Sequence, residues 1–173
     1  MTKVCTALAG ALLILPFSEV VSADTVPACS PSAVLELRLT ASADRAFRLF
    51  DPIHESLWEP HWKPRFLGAP RAAAGLVFIT TDPAGTQTIW LLDRYDSSAR
   101  NLRYVNVSAG RTLTQLDIAV EPRGPSASEA TVHHTQTALD STAAADVCAA
   151  AREFPSVRSH WEAALNAALQ RSR

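Results

Sequence analysis

Two groups of residues in this chain have types and spacings that could do chemistry. The first lies in Glu129 to Ala138 (E-A-T-V-H-H-T-Q-T-A). Strand alternation puts Ala130, Val132, His134 and Gln136 on one face, and Glu129, Thr131, His133 and Thr135 on the other. An imidazole and an amide that continue an apolar face need partners. A neighbouring strand or helix could supply them, or a polar contact inside a ligand cavity could. An imidazole titrating near neutral pH can also work as a general acid or base, with His61 or Tyr104 as the second group. The second group is His54, Glu55, Glu59 and His61. His54-Glu55 opens like a zinc-protease helix, but Trp58 stands where the second His must be, which excludes that motif. The spacing fits no metal-ligand pattern, so these residues read as a solvated, mixed-charge loop. There is no glycine-rich phosphate loop and no Gly-x-Ser-x-Gly elbow. No catalytic residue, metal or cofactor is assigned.

The elements that would position these groups are mostly strands. Val34 to Thr40 alternates, with Leu35, Leu37 and Leu39 on one face and Glu36 and Arg38 on the other. Ser42 is a candidate N-cap for a short amphipathic segment carrying Phe47, Phe50 and Leu57, interrupted at Pro52. Two short helices, or one helix and a turn, are expected there. Trp58 to Pro70 reads as a loop or irregular edge strand. Strands are expected at Gly75–Thr81, Thr86–Tyr95, Asn101–Ser108, Thr112–Glu121 and Glu129–Ala138. Pro122 to Ser128 is expected as a loop. Short connections make successive strands antiparallel neighbours. In the Thr112 strand, Leu116, Ile118 and Val120 share a face, with Gln115, Asp117 and Glu121 on the solvent side. Strict alternation in the Thr86 strand groups Trp90 with Thr88 and Leu92, and Tyr95 with Ile89 and Leu91. It does not say which side is inside. In the helical tail, Val157, Trp161, Leu165 and Leu169 recur every four residues beside Ala164 and Ala168. Pro155 starts a second segment there or kinks one helix.

The ends and the composition bound the rest. Lys3, the apolar run Ala7 to Phe17 and Val21-Ser22-Ala23 have the form of a secretory signal peptide over residues 1–23. The apolar run is well short of the ~20 residues that span a bilayer. A mature domain, 24–173, is expected outside the cytoplasm, secreted or periplasmic, with no stable membrane insertion. Lys3 and Glu19 leave together, so the formal net charge stays at −1. That balance gives no reason to expect a nucleic-acid partner. Cys29 and Cys148 are then an even pair in an oxidising compartment, and a disulfide between them is expected.

This order of elements resembles the START-like, helix-grip superfamily, also called SRPBCC. The resemblance rests on Ala43 to Phe50 (A-D-R-A-F-R-L-F), Leu57 to Trp62 (L-W-E-P-H-W), Gly75 to Thr80 (G-L-V-F-I-T), Thr88 to Asp96 (T-I-W-L-L-D-R-Y-D), Thr135 to Ala138 (T-Q-T-A) and Trp161. It implies an α+β fold: a curved antiparallel sheet of six to seven strands wrapped around a long C-terminal helix, with two short helices after the first strand. It also implies an apolar cavity between sheet and helix, taking a hydrophobic small molecule or lipid. The candidate ligand contacts are Trp58, Trp62, Trp90, Tyr104, Leu116, Ile118, Val132, His134, Gln136 and Trp161. Three functions compete: an exported carrier of such a ligand, a polyketide cyclase- or dehydratase-like enzyme using His134, and an interaction domain with a filled core.

Overall fold

A computed structural model describes residues 30–171 of the chain. The expected signal peptide and Cys29 lie outside the described residues.

The sheet has seven strands, all pairing antiparallel: β1 (Ser32–Leu39), β2 (Arg65–Phe66), β3 (Leu76–Thr81), β4 (Gln87–Asp96), β5 (Asn101–Ser108), β6 (Thr112–Gly124) and β7 (Ala127–Ala138). Their order across the sheet is β1-β7-β6-β5-β4-β3-β2. β7 therefore returns to pair with β1, and every other neighbour is joined by a local connection. The β5–β6 turn needs positive φ at both central residues, which Ala109 (φ 50°) and Gly110 (φ 67°) supply.

One face of the sheet is the core. Leu35, Leu37 and Leu39 of β1 are buried there with Ala130 and Val132 of β7, Ile118 and Val120 of β6, Leu102 and Tyr104 of β5, Leu92 of β4 and Phe78 of β3. The opposite face carries ion pairs, with Arg103 Nε donating to Asp117 at 2.6 Å and Arg94 at 3.1 Å.

Helix α1 (Ala43–Arg48) buries Ala43, Ala46 and Phe47 on this core. Ser42 occupies its N-cap position but makes no side-chain cap. A 3₁₀ turn, Glu55–Leu57, follows. The tail is broken into α2 (Ser141–Glu153), a 3₁₀ turn at Phe154–Val157 and α3 (Arg158–Arg171). Pro155 sits at the start of that 3₁₀ turn, where it removes a helical N–H donor. Leu165, Ala168 and Leu169 of α3 are buried against the sheet, and Trp161 and Ala164 pack at the edge of the same core.

Two register shifts differ from strict alternation. A bulge between Leu92 and Arg94 turns Tyr95 onto the Trp90 face, where its ring lies 5.4 Å from Phe47. Ladder pairing also extends β6 and β7 through the region expected as a loop, with a bulge between Pro122 and Gly124. Two residues, Arg65 and Phe66, pair with β3 and form the far edge.

The β1 edge is closed by α3 side chains. Asn166 Oδ1 accepts from Thr40 N–H at 2.7 Å, Asn166 Nδ2 donates to the Arg38 carbonyl at 2.9 Å, and Glu162 accepts from Arg38 N–H at 2.9 Å. The edge-facing backbone groups of Arg38 and Thr40 are thereby occupied at this end of β1. Replacing Asn166 with Ala removes this attachment of α3 at a partly solvated site. A loss of about 1–2 kcal/mol is expected, read as a lower urea midpoint at unchanged m-value. An unchanged midpoint would show that the edge is held by packing alone.

Candidate functional site

Where α3 crosses the sheet near the 3₁₀ turn Glu55–Leu57, a cavity of about 210 Å³ remains. It is lined by Phe50, Trp58, Trp62, Trp90, Tyr104 and Trp161, by Leu116 and Ile118, and by Glu55 and Glu59. Five elements meet there: the Phe50–Trp62 segment, β4, β5, β6 and α3.

The aromatic walls form two interlocking sets. Trp58 meets Trp161 edge-on at 5.4 Å and Phe50 at 6.4 Å. Trp62 meets Trp90 at 5.3 Å, Trp90 stacks on Phe78 at 5.8 Å, and Tyr104 stands edge-on to Trp90 at 5.8 Å. These offset and edge-to-face arrangements are the favourable ones for aromatic quadrupoles.

Most polar handles of these rings are already used. Trp58 Nε1 donates to the Leu49 carbonyl at 2.6 Å, Trp62 Nε1 to the Pro52 carbonyl at 2.9 Å and Trp90 Nε1 to Thr80 Oγ1 at 2.9 Å. The Tyr104 hydroxyl donates to the Phe50 carbonyl at 2.8 Å. The rings thus offer the cavity mainly carbon and π surface.

The polar content of the lining is two carboxyl groups. Glu55 is half-buried, on the cavity lining. Burial, followed by the nearby Glu59 and Asp51 carboxylates, holds it well above the usual carboxylate range. Among the described residues, no hydrogen bond to the Glu55 side chain is found. Glu59 Oε1 accepts from His61 N–H at 3.0 Å. Asp51 is buried and occupied: Oδ1 accepts from the Ile53 and His54 amides, and both carboxylate oxygens lie 2.8 Å from His54 Nδ1. Burial, then Glu55, Asp51 and Tyr95, raises the Tyr104 phenol well above its ordinary value.

With this geometry in view, the chain can be set beside known proteins. No family profile matches it, and no curated sequence does. Solved structures do. The aromatase/cyclase Zhui from Streptomyces sp. R1128 superposes with a TM-score of 0.62 at 17% identity, over 83% of this chain and 96% of its own. Norcoclaurine synthase from Thalictrum flavum, solved with dopamine and hydroxybenzaldehyde, gives 0.65 at 15% identity, over 95% and 99%. An uncharacterised protein from Rhizobium leguminosarum gives 0.55 at 17% identity, over 80% and 95%. The chain has the helix-grip fold. The resemblance to the SRPBCC superfamily read from the sequence is borne out at the level of fold.

Within this helix-grip frame, Trp58, Trp62, Trp90, Tyr104, Leu116, Ile118 and Trp161 come together around the cavity. Val132, His134 and Gln136 are not among its lining residues. Val132 is core. His134 does lie on the inward face, opposite Leu116, but its ring stacks on Phe154 at 4.2 Å, beneath the 3₁₀ turn Phe154–Val157. Burial holds its imidazole below the ordinary value, which favours the neutral ring. Gln136 Oε1 is buried without a protein partner, and its residue pairs with Thr114. His61 is exposed on a separate surface depression beside Thr80 and Asp82. Among the described residues, no group of three or more His, Cys, Asp or Glu is arranged to hold a metal.

The sequence reading missed Phe50, Glu55 and Glu59 as lining residues; His54 and His61 are exposed as expected of a solvated loop, while Glu55 and Glu59 are half-buried on the cavity side. A signal was present. Glu55, Trp58, Glu59 and Trp62 fall at i, i+3, i+4 and i+7, which is one helical face. Two carboxylates on the Trp face of a short turn mark the side that meets the cavity.

The half-buried carboxyl has a consequence for stability. A carboxyl whose folded pKa is raised leaves stability intact below its unfolded pKa. That stability is lost as pH rises through the folded value, because only the unfolded chain ionises freely. Glu55→Gln removes this loss. Thermal melts should show little difference from wild type near about pH 4 and a higher melting temperature for the variant near about pH 8. An equal effect at both would mean that the carboxyl is solvated.

Proposed function

We propose that this protein is an exported binder of a small hydrophobic molecule held in the aromatic cavity. The observation that carries the reading is the cavity itself: about 210 Å³ enclosed by four Trp, one Tyr and one Phe, with the Trp58, Trp62, Trp90 and Tyr104 donors consumed by the protein. Such walls are built to bury apolar surface, at ~25 cal/mol per Å² removed from water.

The volume narrows the ligand. Pockets for drug-sized ligands run to about 300–1,000 Å³. A single-ring compound suits this cavity better than an acyl chain, a sterol or a polyketide. The described residues contain no helix long and apolar enough to cross a membrane, which agrees with a ligand binder working away from the bilayer interior.

A catalytic reading has one specific support. Glu55 is a carboxyl held above its ordinary range in an apolar site, the condition for a general acid at neutral pH. It replaces His134 as the candidate acid/base: His134 is stacked on Phe154, and the Tyr104 hydroxyl is committed to a backbone carbonyl. This reading gives a cyclase- or dehydratase-like activity on a small aromatic carbonyl compound.

Export, signal cleavage after Ala23 and a Cys29–Cys148 disulfide belong to the same proposal. Cys148 lies on α2, one residue after the buried Val147.

Two measurements test this. Titration of intrinsic Trp fluorescence with p-cresol should saturate, and oleic acid should not compete. Saturable binding of oleic acid at the same site would overturn the size argument, and no response to p-cresol would count against the binding reading. Intact mass of protein recovered from the periplasm or medium should begin at Asp24 and lie two hydrogens below the reduced form. A retained leader or free thiols would remove the export part of the proposal.

A further inference from the structure

The lining pairs aromatic faces with acidic groups and, among the described residues, contains no basic one. A cavity meant for a purely apolar ligand gains nothing from two carboxyl groups, since each is costly to desolvate. A cavity meant for an anionic ligand would place an Arg or a Lys in its wall. Here the Trp58, Trp62, Trp90 and Tyr104 donors are turned into the protein framework, to Leu49, Pro52, Thr80 and Phe50. What remains for a ligand is the ring surface of these residues, the Trp161 indole and the carboxyls of Glu55 and Glu59. Ring faces and carboxyls both attract positive charge.

We propose that the cavity selects a small organic cation: an alkyl- or arylammonium whose charged nitrogen sits among Trp58, Trp62, Trp90 and Trp161, with Glu55 as its counter-charge. Cation–π attraction is strongest for Trp and grows when the site is desolvated. A cage of several Trp rings closed at one end by a carboxylate satisfies both conditions. The volume of about 210 Å³ leaves room for an ammonium group with at most one ring attached.

Glu55 supplies a second, independent mark. Its half-buried carboxyl lies on the cavity lining and makes no hydrogen bond to the described residues. The charged and titratable groups facing it are Asp51 and Glu59 on its own segment and Tyr104 on β5, with Tyr95 of β4 beyond. Trp161 is the α3 contribution to the lining. Asp51 already has the amides of Ile53 and His54 and the His54 ring, and Glu59 has the His61 amide. Of these three carboxyls, Glu55 is the one without a side-chain hydrogen bond to the described residues. In the free protein, burial and the neighbouring carboxylates disfavour its ionisation. An entering cation favours the ionised form and expels the carboxyl proton, so cation affinity rises with pH through the titration of Glu55. A neutral ligand that accepts a hydrogen bond from the protonated carboxyl shows the opposite trend.

This inference rests on the cavity being a binding site, and the test separates the two. The mature protein is titrated with phenyltrimethylammonium and with its neutral isostere tert-butylbenzene, following Trp fluorescence and calorimetry. The expected result is at least about tenfold tighter binding of the cation, the ratio that ~1.4 kcal/mol of cation–π and ionic attraction supplies. Its affinity should rise from pH 5 to pH 8, with proton release seen as a dependence of the heat on buffer ionisation. Glu55→Gln should lower the ratio of cation to tert-butylbenzene affinity severalfold and remove the pH dependence of cation binding. Near-ultraviolet circular dichroism and a thermal melt establish that the variant is folded. If it is not, Glu59→Gln and the wild-type pH profile carry the same test. Equal or tighter binding of tert-butylbenzene would overturn the cation proposal while leaving the hydrophobic-binding reading intact. Binding of neither probe would count against both.

Discussion

Three consecutive-face aromatic donors and one short turn set the geometry on which the site depends. The carbonyls of Leu49, Phe50 and Pro52 accept hydrogen bonds from Trp58, Tyr104 and Trp62. Buried indole and phenol groups require such partners, because an unpaired donor in an apolar core costs about 1–3 kcal/mol. The turn after α1 meets that requirement for residues from two separate parts of the chain: the Trp58–Trp62 segment and β5. It thereby ties an irregular segment to the middle of the sheet. Pro52 carries no N–H of its own, and Asp51 holds the next two amides through Oδ1. The turn is internally satisfied, so its carbonyls are free to act outward.

From that anchor the rest of the site follows. Trp58 and Trp62 are held at fixed orientations, so the space between them and α3 is not filled by collapse. Trp161 comes down on Trp58 from α3, and α3 is itself fastened to β1 through Asn166 and Glu162. The cavity is therefore framed by hydrogen bonds at both ends, one set at the α1 turn and one at the sheet edge. Glu55 lies on the cavity lining as a consequence of being on the same face as Trp58 and Trp62. Its electrostatic character arises from position more than from any dedicated partner: burial does most of the work, and Glu59 and Asp51 add like charge.

The legible and illegible parts of the chain differ in kind. The periodicity of Val34–Thr40, Asn101–Ser108 and Thr112–Glu121 gave strands close to β1, β5 and β6, because a half-buried strand writes its burial into alternate residues. The every-fourth-residue run Val157, Trp161, Leu165, Leu169 marked the face of α3 for the same reason. Tyr95 went to the wrong face because a bulge at Leu92–Arg94 inserts a residue that alternation cannot foresee. The Pro122–Ser128 stretch, with its Pro, Gly and Ser, looked like a loop. Pairing of β6 with β7 across the bulge outweighs those local preferences. Ser42 has the side chain of a cap but makes no capping bond, since the six-residue α1 is held by burial of Ala43, Ala46 and Phe47.

The site divides along the same line. Residue types and spacing by themselves determined that the chain has alternating strands, an aromatic segment before the sheet and an amphipathic tail, since each of these is a local pattern in which hydrophobic burial repeats with the geometry of the backbone. Seven cavity-lining residues were within reach of that reading. Only the tertiary structure decided that Trp90 points inward, that His134 is spent on Phe154, and that Glu55 lines the cavity with the Trp rings. Those outcomes depend on which strand lies beside which, on where α3 breaks at Pro155, and on whose carbonyl a ring donor can reach. Such contacts join residues distant in sequence, and no local period encodes them.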